Sequence, residues 1–116
     1  MSPKVKTIIA WVMAVLITGF FIMAGISKVT LDPATVSNFK RWGHGENFTK
    51  LIGGLEILGA IGLLIPRIWY LAALGLIGLM GGAAYTHLTV GDPVQTMAPS
   101  IGLIVALLIY ILMRRK

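Results

Sequence analysis

The chain has 116 residues, of which 57% are hydrophobic and 12% charged, and its net charge is +6. A soluble domain is about a quarter charged, and one this short could not hide so much apolar surface from water. The composition therefore excludes an ordinary soluble domain and predicts one membrane domain over residues 1–116. The absence of cysteine excludes thiol–disulfide chemistry, thiolate metal sites and iron–sulfur ligation within this chain.

Four apolar runs predict helices that cross a bilayer, which requires about 20 residues each. They cover residues 6–26, 51–65, 68–88 and 94–113. The second run is short, at about 24 Å from Lys50 to Ile65, and Pro66 ends it because proline lacks an N–H. We therefore predict an all-α transmembrane four-helix bundle with one long loop, residues 30–49, between the first two spans. Within that loop, PATVSNFKRW predicts either a short amphipathic helix on the membrane surface or a solvated loop with aromatic anchors.

The distribution of lysine and arginine predicts the orientation, because cytoplasmic segments carry an excess of both. Most basic residues fall on the side of the two termini, so we expect an N-in/C-in, multi-pass protein with the long loop outside. These basic positions at span ends account for the net charge without a nucleic-acid partner. The first run is too long for the apolar part of a signal peptide and is predicted to be an uncleaved span. The cytoplasmic set is Lys4, Lys6, Arg67, Arg114, Arg115 and Lys116, and the outer set is Lys28, Lys40, Arg41 and Lys50.

Small residues at helical spacing predict the faces on which helices pack in lipid, because they allow close backbone approach. Such a stripe in the second span includes Glu56, which is therefore predicted to point into the bundle. A stripe in the third span ends at Tyr85, and one in the first span ends at Lys28. The predicted packing glycines are Gly25, Gly53, Gly59, Gly78, Gly82 and Gly102.

An ionised carboxylate in hydrocarbon is costly unless it is paired, protonated or hydrated. Glu56 therefore has two interpretations. In the first, an ion pair with Lys28 or a hydrogen bond with Tyr85 fixes the register of the helices. In the second, Glu56 is a titrating proton site or anchors a ligand. The helix ends place Lys28, Tyr85 and His87 near it, and we treat these four residues as the candidate ligand-binding or proton site.

The three neighbours of Glu56 also have structural interpretations. Lys28 suits a snorkelling lysine, Tyr85 an interfacial aromatic residue, and His87 a surface or capping histidine. No nucleophile lies beside a base and no phosphate-binding loop is present, so no catalytic residue is predicted. His44, Glu46 and His87 lack the spacing typical of metal ligands, and no metal site is predicted.

Three segments together resemble the DoxX-like family of small bacterial four-span membrane proteins. They are GFFIMAGISKV (Gly19–Val29), FTKLIGGLEILGAIGLLIPR (Phe48–Arg67) and GLMGGAAYTHL (Gly78–Leu88). The resemblance implies a four-helix bundle in the bacterial inner (plasma) membrane and an association with quinone and with thiol or sulfur redox metabolism. The positions that match its pattern are Gly25, Lys28, Gly53, Glu56, Pro66, Ala83, Thr86 and His87.

The sequence favours a non-catalytic, accessory role in which the chain binds a quinone or another lipophilic ligand. The polar head would lie near Lys28, Glu56 and Tyr85, and the tail in an apolar groove. Two alternatives remain open. The chain is a small proton-coupled exporter that uses Glu56, or an assembly factor for a larger membrane complex. The expected partners are accordingly the lipid bilayer, a lipophilic small molecule, a membrane oxidoreductase or further copies of the chain.

Overall fold

A computed structural model describes residues 2–92 and 94–114. Over these residues the chain is all-α, as predicted, with five α-helices, one short 3₁₀ helix and no strand. Arg115 and Lys116, which contribute to the predicted orientation, lie outside the described residues. The helices are α1 (Pro3–Val29), α2 (Pro33–Arg41), α3 (Glu46–Leu63), α4 (Trp69–Thr89) and α5 (Ala98–Arg114), with the 3₁₀ helix Val94–Met97 before α5.

The second long helix, α3, is longer than the apolar run that predicted it. It begins at Glu46 rather than at Leu51, because its polar first turn is helical and follows the extended backbone of Gly45. Its 18 residues span about 27 Å, so the apparent shortness of this helix came from counting apolar residues alone. It ends at Leu63, and a turn that contains Pro66 leads into α4.

The loop between α1 and α3 contains the helix α2, so the segment is helical, while its predicted place on the membrane surface stays a prediction. Asp32 caps α2 by accepting a hydrogen bond from the Thr35 backbone N–H at 3.4 Å, and Pro33 occupies the first turn. Phe39 is buried, and α2 contacts both α1 and α3. The helix thus covers one end of the bundle with an aromatic side chain turned inward.

The four long helices form a closed arrangement in which each packs against two others. Helix α1 contacts α3 and α5, and α4 contacts the same two helices. The tightest crossing is between α1 and α3, where a Cβ atom at either Gly25 or Gly53 would lie 2.7 Å from the carbonyl oxygen of the other. At Gly59 a Cβ would lie 2.7 Å from Leu76, so this glycine makes room for a leucine of α4. Close packing at these three predicted glycines is present.

The faces predicted for the last two helices differ from those that the structure buries. Large side chains fill the interior here, so that backbone contact through glycine is replaced by interlocking side chains. A Cβ atom at Gly78, Gly82 or Gly102 would meet nothing within 4 Å, and no close helix approach within the described chain depends on them. The buried residues are Ala73, Leu76 and Met80 in α4, and Ser100, Leu107, Tyr110 and Ile111 in α5.

The outward faces of the helices are apolar. Met23 and Leu71 are 73% and 71% exposed, and many other large apolar side chains share this position. Helices α1 and α4 are long and apolar enough to cross a membrane, and α5 is a shorter apolar helix. Contiguous exposed apolar surface of this kind is typical of contact with lipid or with another protein.

Candidate functional site

A cavity of about 560 Å³ lies at the end of the bundle that α2 covers. Side chains from α1, α2, α3, α4 and α5 all contribute to its wall. It contains all four predicted site residues, Lys28, Glu56, Tyr85 and His87. Its wall is mostly apolar, with a few polar groups, and its volume is in the range of small-molecule sites, about 300–1,000 Å³.

Lys28 and Glu56 form an ion pair in the wall of this cavity. Lys28 Nζ lies 2.8 Å from Glu56 Oε1, across the tight crossing of α1 and α3. The Glu56 side chain is only 1% exposed, whereas that of Lys28 is 19% exposed. The close approach of Gly25 and Gly53 brings the two helices near enough for this contact. The structure therefore contains the ion pair that was one of the predicted alternatives for Glu56.

The ion pair leaves part of the hydrogen-bonding capacity of Glu56 unused. Within the described chain, Oε1 has no polar partner other than the ammonium group of Lys28, which lies 2.8 Å away. No other described residue donates a hydrogen bond to Oε1. Buried polar atoms without a hydrogen-bond partner are rare in native proteins.

Tyr85 lies at the mouth of the cavity rather than beside Glu56. Its side chain is 68% exposed, and no hydrogen bond joins it to Glu56. The alternative in which Tyr85 fixes the carboxylate is therefore wrong. The reason is the rotation of α4, which turns Ala73, Leu76 and Met80 inward and leaves Tyr85 on the rim.

Aromatic rings form the wall of the cavity nearest to α2. Phe39 and Trp42 have ring centroids 5.2 Å apart, and His44 and Phe48 have centroids 4.4 Å apart. All four residues line the cavity. Tilted and offset contacts of this kind are the preferred geometries of aromatic pairs. The sequence predicted aromatic anchors in this loop but did not predict that they enclose a cavity.

Asp92 joins α2 to the C-terminal end of α4, although no sequence pattern identified it as a candidate site residue. Its carboxylate accepts hydrogen bonds from the Arg41 guanidinium and from Trp42 Nε1, the latter at 3.3 Å. His87 Nδ1 lies 2.7 Å from Asp92 Oδ2, and the His87 ring meets Trp42 edge-on at 4.9 Å. His87 is thus a partner of Asp92, and the group holds α2 over the cavity.

The charge state of Asp92 follows from these contacts. Hydrogen bonds from Arg41 and then from His87 lower the pKa of Asp92 to about 2, from an ordinary value of 3.8. Each favours the ionised carboxylate, since each donor interacts more strongly with the anion than with the neutral acid. Asp92 is therefore ionised over the whole physiological pH range. The sequence signal for Asp92 is its place in the segment Gly-Asp-Pro, a composition typical of turns.

The opposite end of the bundle has a smaller cavity of about 210 Å³ beside Arg114. Arg114 donates a hydrogen bond to the carbonyl oxygen of Leu63 at 2.6 Å, and its guanidinium lies 4.8 Å from the Trp69 ring centroid. Tyr110 donates to the same carbonyl at 3.4 Å. These contacts satisfy the free carbonyl end of α3, so the polar groups here have a structural role.

Among the described residues, no group of three or more His, Asp or Glu side chains has the geometry to hold a metal ion. His44 packs on Phe48, and His87 is engaged by Asp92, so the two histidines are held by different partners.

The chain was compared with known proteins and families. Curated proteins and solved structures gave no match. A family model described as the DoxX-like family matches residues 12–109. This match covers most of α1, all of α2, α3 and α4, and most of α5, and it includes every residue of the cavity wall. The chain belongs to the DoxX-like family.

Proposed function

We propose that this chain is a non-catalytic membrane protein that binds a quinone or another lipophilic ligand in the cavity beneath α2. The observation that carries the proposal is the enclosure of the Lys28–Glu56 ion pair in a mostly apolar, aromatic-walled cavity of about 560 Å³. An apolar site with a few placed polar groups suits a ligand with a long tail and a small polar head.

The proposed placement in the membrane follows from the helices. In it, α1, α3, α4 and α5 are four spans, both termini are cytoplasmic, and α2 lies on the outer side of the bacterial inner membrane. The support is the apolar surface of the helices and the position of Arg114 and Arg67 at the end opposite to α2. The cavity would then lie in the outer half of the bilayer, within reach of lipid-soluble molecules.

The ion pair favours ligand binding over proton-coupled export. An exporter of this size would need a carboxylate that exchanges a proton for a cationic substrate. Here Lys28 Nζ already lies 2.8 Å from Glu56 and balances its charge. A second cation in the same place would be repelled by the lysine. No contact in the described chain specifically favours a role in assembly.

Thermal unfolding of the purified protein with a decyl-tailed quinone tests the proposal. A ligand that binds the folded state alone stabilises it by about 2.7 kcal/mol at a hundred times Kd, by mass action. We expect the quinone to raise the Tm of the wild type and to have much less effect on Glu56→Gln and Lys28→Met.

A matched pair on α4 provides the control. Tyr85→Phe alters the rim of the cavity, whereas Tyr70→Phe alters a half-exposed tyrosine of the same helix outside it. The quinone should stabilise Tyr70→Phe as strongly as the wild type. The proposal is refuted if the quinone stabilises neither the wild type nor any variant, while Glu56→Gln and Lys28→Met melt at lower temperatures than the wild type. The ion pair would then have only a structural role.

A further inference from the structure

We propose that the smaller cavity, beside Arg114, binds an anionic phospholipid. The Arg114 guanidinium group holds the phosphate of the headgroup, and the start of an acyl chain lies along the apolar wall that α1 contributes. This site is additional to the one beneath α2, at the end of the bundle where α1 begins and α5 ends. It uses the membrane placement proposed above, but it does not depend on what binds beneath α2.

The first support is that Arg114 has hydrogen-bond donors to spare. Its contacts with the Leu63 carbonyl oxygen and the Tyr110 hydroxyl group both come from Nη1. A guanidinium group has five N–H donors, of which Nη1 carries two, and no described residue accepts a hydrogen bond from Nη2 or Nε. Arg114 lines the cavity and is only partly buried, so the other three donors are available to a ligand there. Arginine binds phosphate through two parallel N–H groups.

The second support is the charge of this end of the bundle. Its charged side chains among the described residues are all basic: Lys4 and Lys6 near the start of α1, Arg67 before α4, and Arg114. The sequence has four acidic side chains, and all of them lie in the half of the bundle near α2. An anionic headgroup therefore meets only positive charge here, whereas the cation of a zwitterionic headgroup would be repelled.

The third support is the shape of the cavity, which has a volume of about 210 Å³ and lies between α1 and α5. Thr7, Ala10 and Ala14 line it from one face of α1, and from Thr7 to Ala14 they extend about 10 Å along the helix axis. The small alanine side chains leave a groove that continues from Arg114 toward the middle of the bundle. Trp11 is 63% exposed and borders the same cavity, and tryptophan is enriched where membrane and water meet.

This shape favours a lipid over a free phosphate ion. Inorganic phosphate would use the guanidinium group alone and would leave the apolar part of the wall without a partner. A phospholipid covers both parts, because its glycerol and the first carbons of an acyl chain fill the groove and gain van der Waals contacts there.

Native mass spectrometry tests the inference on the wild-type protein. The protein, in a nonionic detergent and in ammonium acetate at physiological ionic strength, is titrated with phosphatidylglycerol or with phosphatidylcholine of the same acyl chains. Both lipids carry a phosphate, but only the first has a net negative charge. We expect phosphatidylglycerol to bind at least about fivefold more tightly, since each basic residue near an anionic headgroup contributes about that factor.

Two variants that lose the same charge at the same end of the bundle distinguish a site from a general attraction. Arg114→Gln removes the donors in the cavity, whereas Arg67→Gln removes a charge outside the cavity wall. Arg114→Gln should weaken the binding of phosphatidylglycerol at least about tenfold, because a hydrogen bond between charged groups is strong. Arg67→Gln should weaken it much less, because salt screens a charge that lies outside the site.

Because Arg114 also supports the carbonyl end of α3, Arg114→Lys serves as a second variant that keeps the positive charge. A lysine can still donate to carbonyl groups at a helix C-terminus, but it lacks the planar fork that meets two phosphate oxygens. We expect Arg114→Lys to bind phosphatidylglycerol several-fold more weakly than the wild type, while its Tm stays close to that of the wild type.

Several results would overturn the inference. Equal affinities for the two lipids would show that charge does not select the headgroup. Equal losses in Arg114→Gln and Arg67→Gln, or wild-type affinity in Arg114→Lys, would leave only a general attraction to a basic surface. Displacement of the lipid by ammonium phosphate at equal ionic strength would show that the site takes the free anion. Each of these results would leave the quinone proposal standing, because the two cavities lie at opposite ends of the bundle.

Discussion

Alanine at Gly53 should separate α1 from α3, whereas alanine at the neighbouring Gly54 should not. A Cβ at Gly53 would lie 2.7 Å from the Gly25 carbonyl oxygen and 2.7 Å from Lys28 Cβ, well inside van der Waals contact. A Cβ at Gly54 would meet nothing within 4 Å. The first two contacts involve a backbone atom and the base of a side chain, which cannot rotate away.

The expected magnitude follows from these distances. Overpacking of a close contact costs about 1–3 kcal/mol. Replacement of an uncrowded helical glycine by alanine stabilises by about 0.5–1 kcal/mol. The free energies of unfolding of Gly53→Ala and Gly54→Ala should therefore differ by about 1.5–4 kcal/mol.

Denaturant unfolding in mild detergent, followed by circular dichroism, measures the difference. The same displacement should move Lys28 relative to Glu56, so Gly53→Ala should also weaken quinone binding, and Gly54→Ala should not. Equal stabilities of the two variants would refute the reasoning, because they would show that α1 and α3 do not cross closely at this point.

Four further substitutions test the polar contacts. Lys28→Met should cost about 3–5 kcal/mol of unfolding free energy, because it leaves the buried Glu56 carboxylate unpaired. Glu56→Leu should cost less, because the partly exposed Lys28 side chain can reach water. The double variant should lie within about 1 kcal/mol of the wild type. The hydrogen bond from Arg41 lowers the pKa of Asp92 to about 2, so its stabilising effect is fully present above pH 4 and declines as the pH falls toward 2. Asp92→Asn should lack this acid-dependent loss in pH-dependent thermal unfolding. Tyr110→Phe should cost about 1 kcal/mol, measured by denaturant unfolding, because it removes a donor to the carbonyl end of α3.

Each of these has a contradicting result. Additive losses in the double variant would show that Lys28 and Glu56 act independently. An acid transition unchanged in Asp92→Asn would place its origin in another carboxylate. Wild-type stability in Tyr110→Phe would mean that Arg114 alone satisfies the carbonyl group.

Local patterns were enough to predict the helices and the inward position of Glu56. Helical repeats of apolar and small residues depend only on neighbours a few positions away, and the cost of a charge in hydrocarbon is independent of fold. These two arguments placed Glu56 on the same face as Gly53 and gave Lys28 as its partner, and the structure has that ion pair.

Patterns in α4 and α5 were misleading, because a small-residue stripe does not say which face a neighbour covers. The stripe of Gly78 and Gly82 has open space beside it, while Leu76 fits against Gly59 of α3. Which side of a helix is buried depends on its rotation about its own axis, and that rotation is set by the side chains of the partner helix.

The sequence by itself determined that this chain is a set of apolar helices with one inward carboxylate, since composition and helical spacing are local properties. Only the tertiary structure decided that α2 closes a cavity over that carboxylate and that Asp92 holds α2 in this position. Arg41 and Asp92 are distant along the chain, and their contact depends on how the ends of α2 and α4 come together. No local spacing encodes that meeting, because it follows from the packing of all four long helices at once.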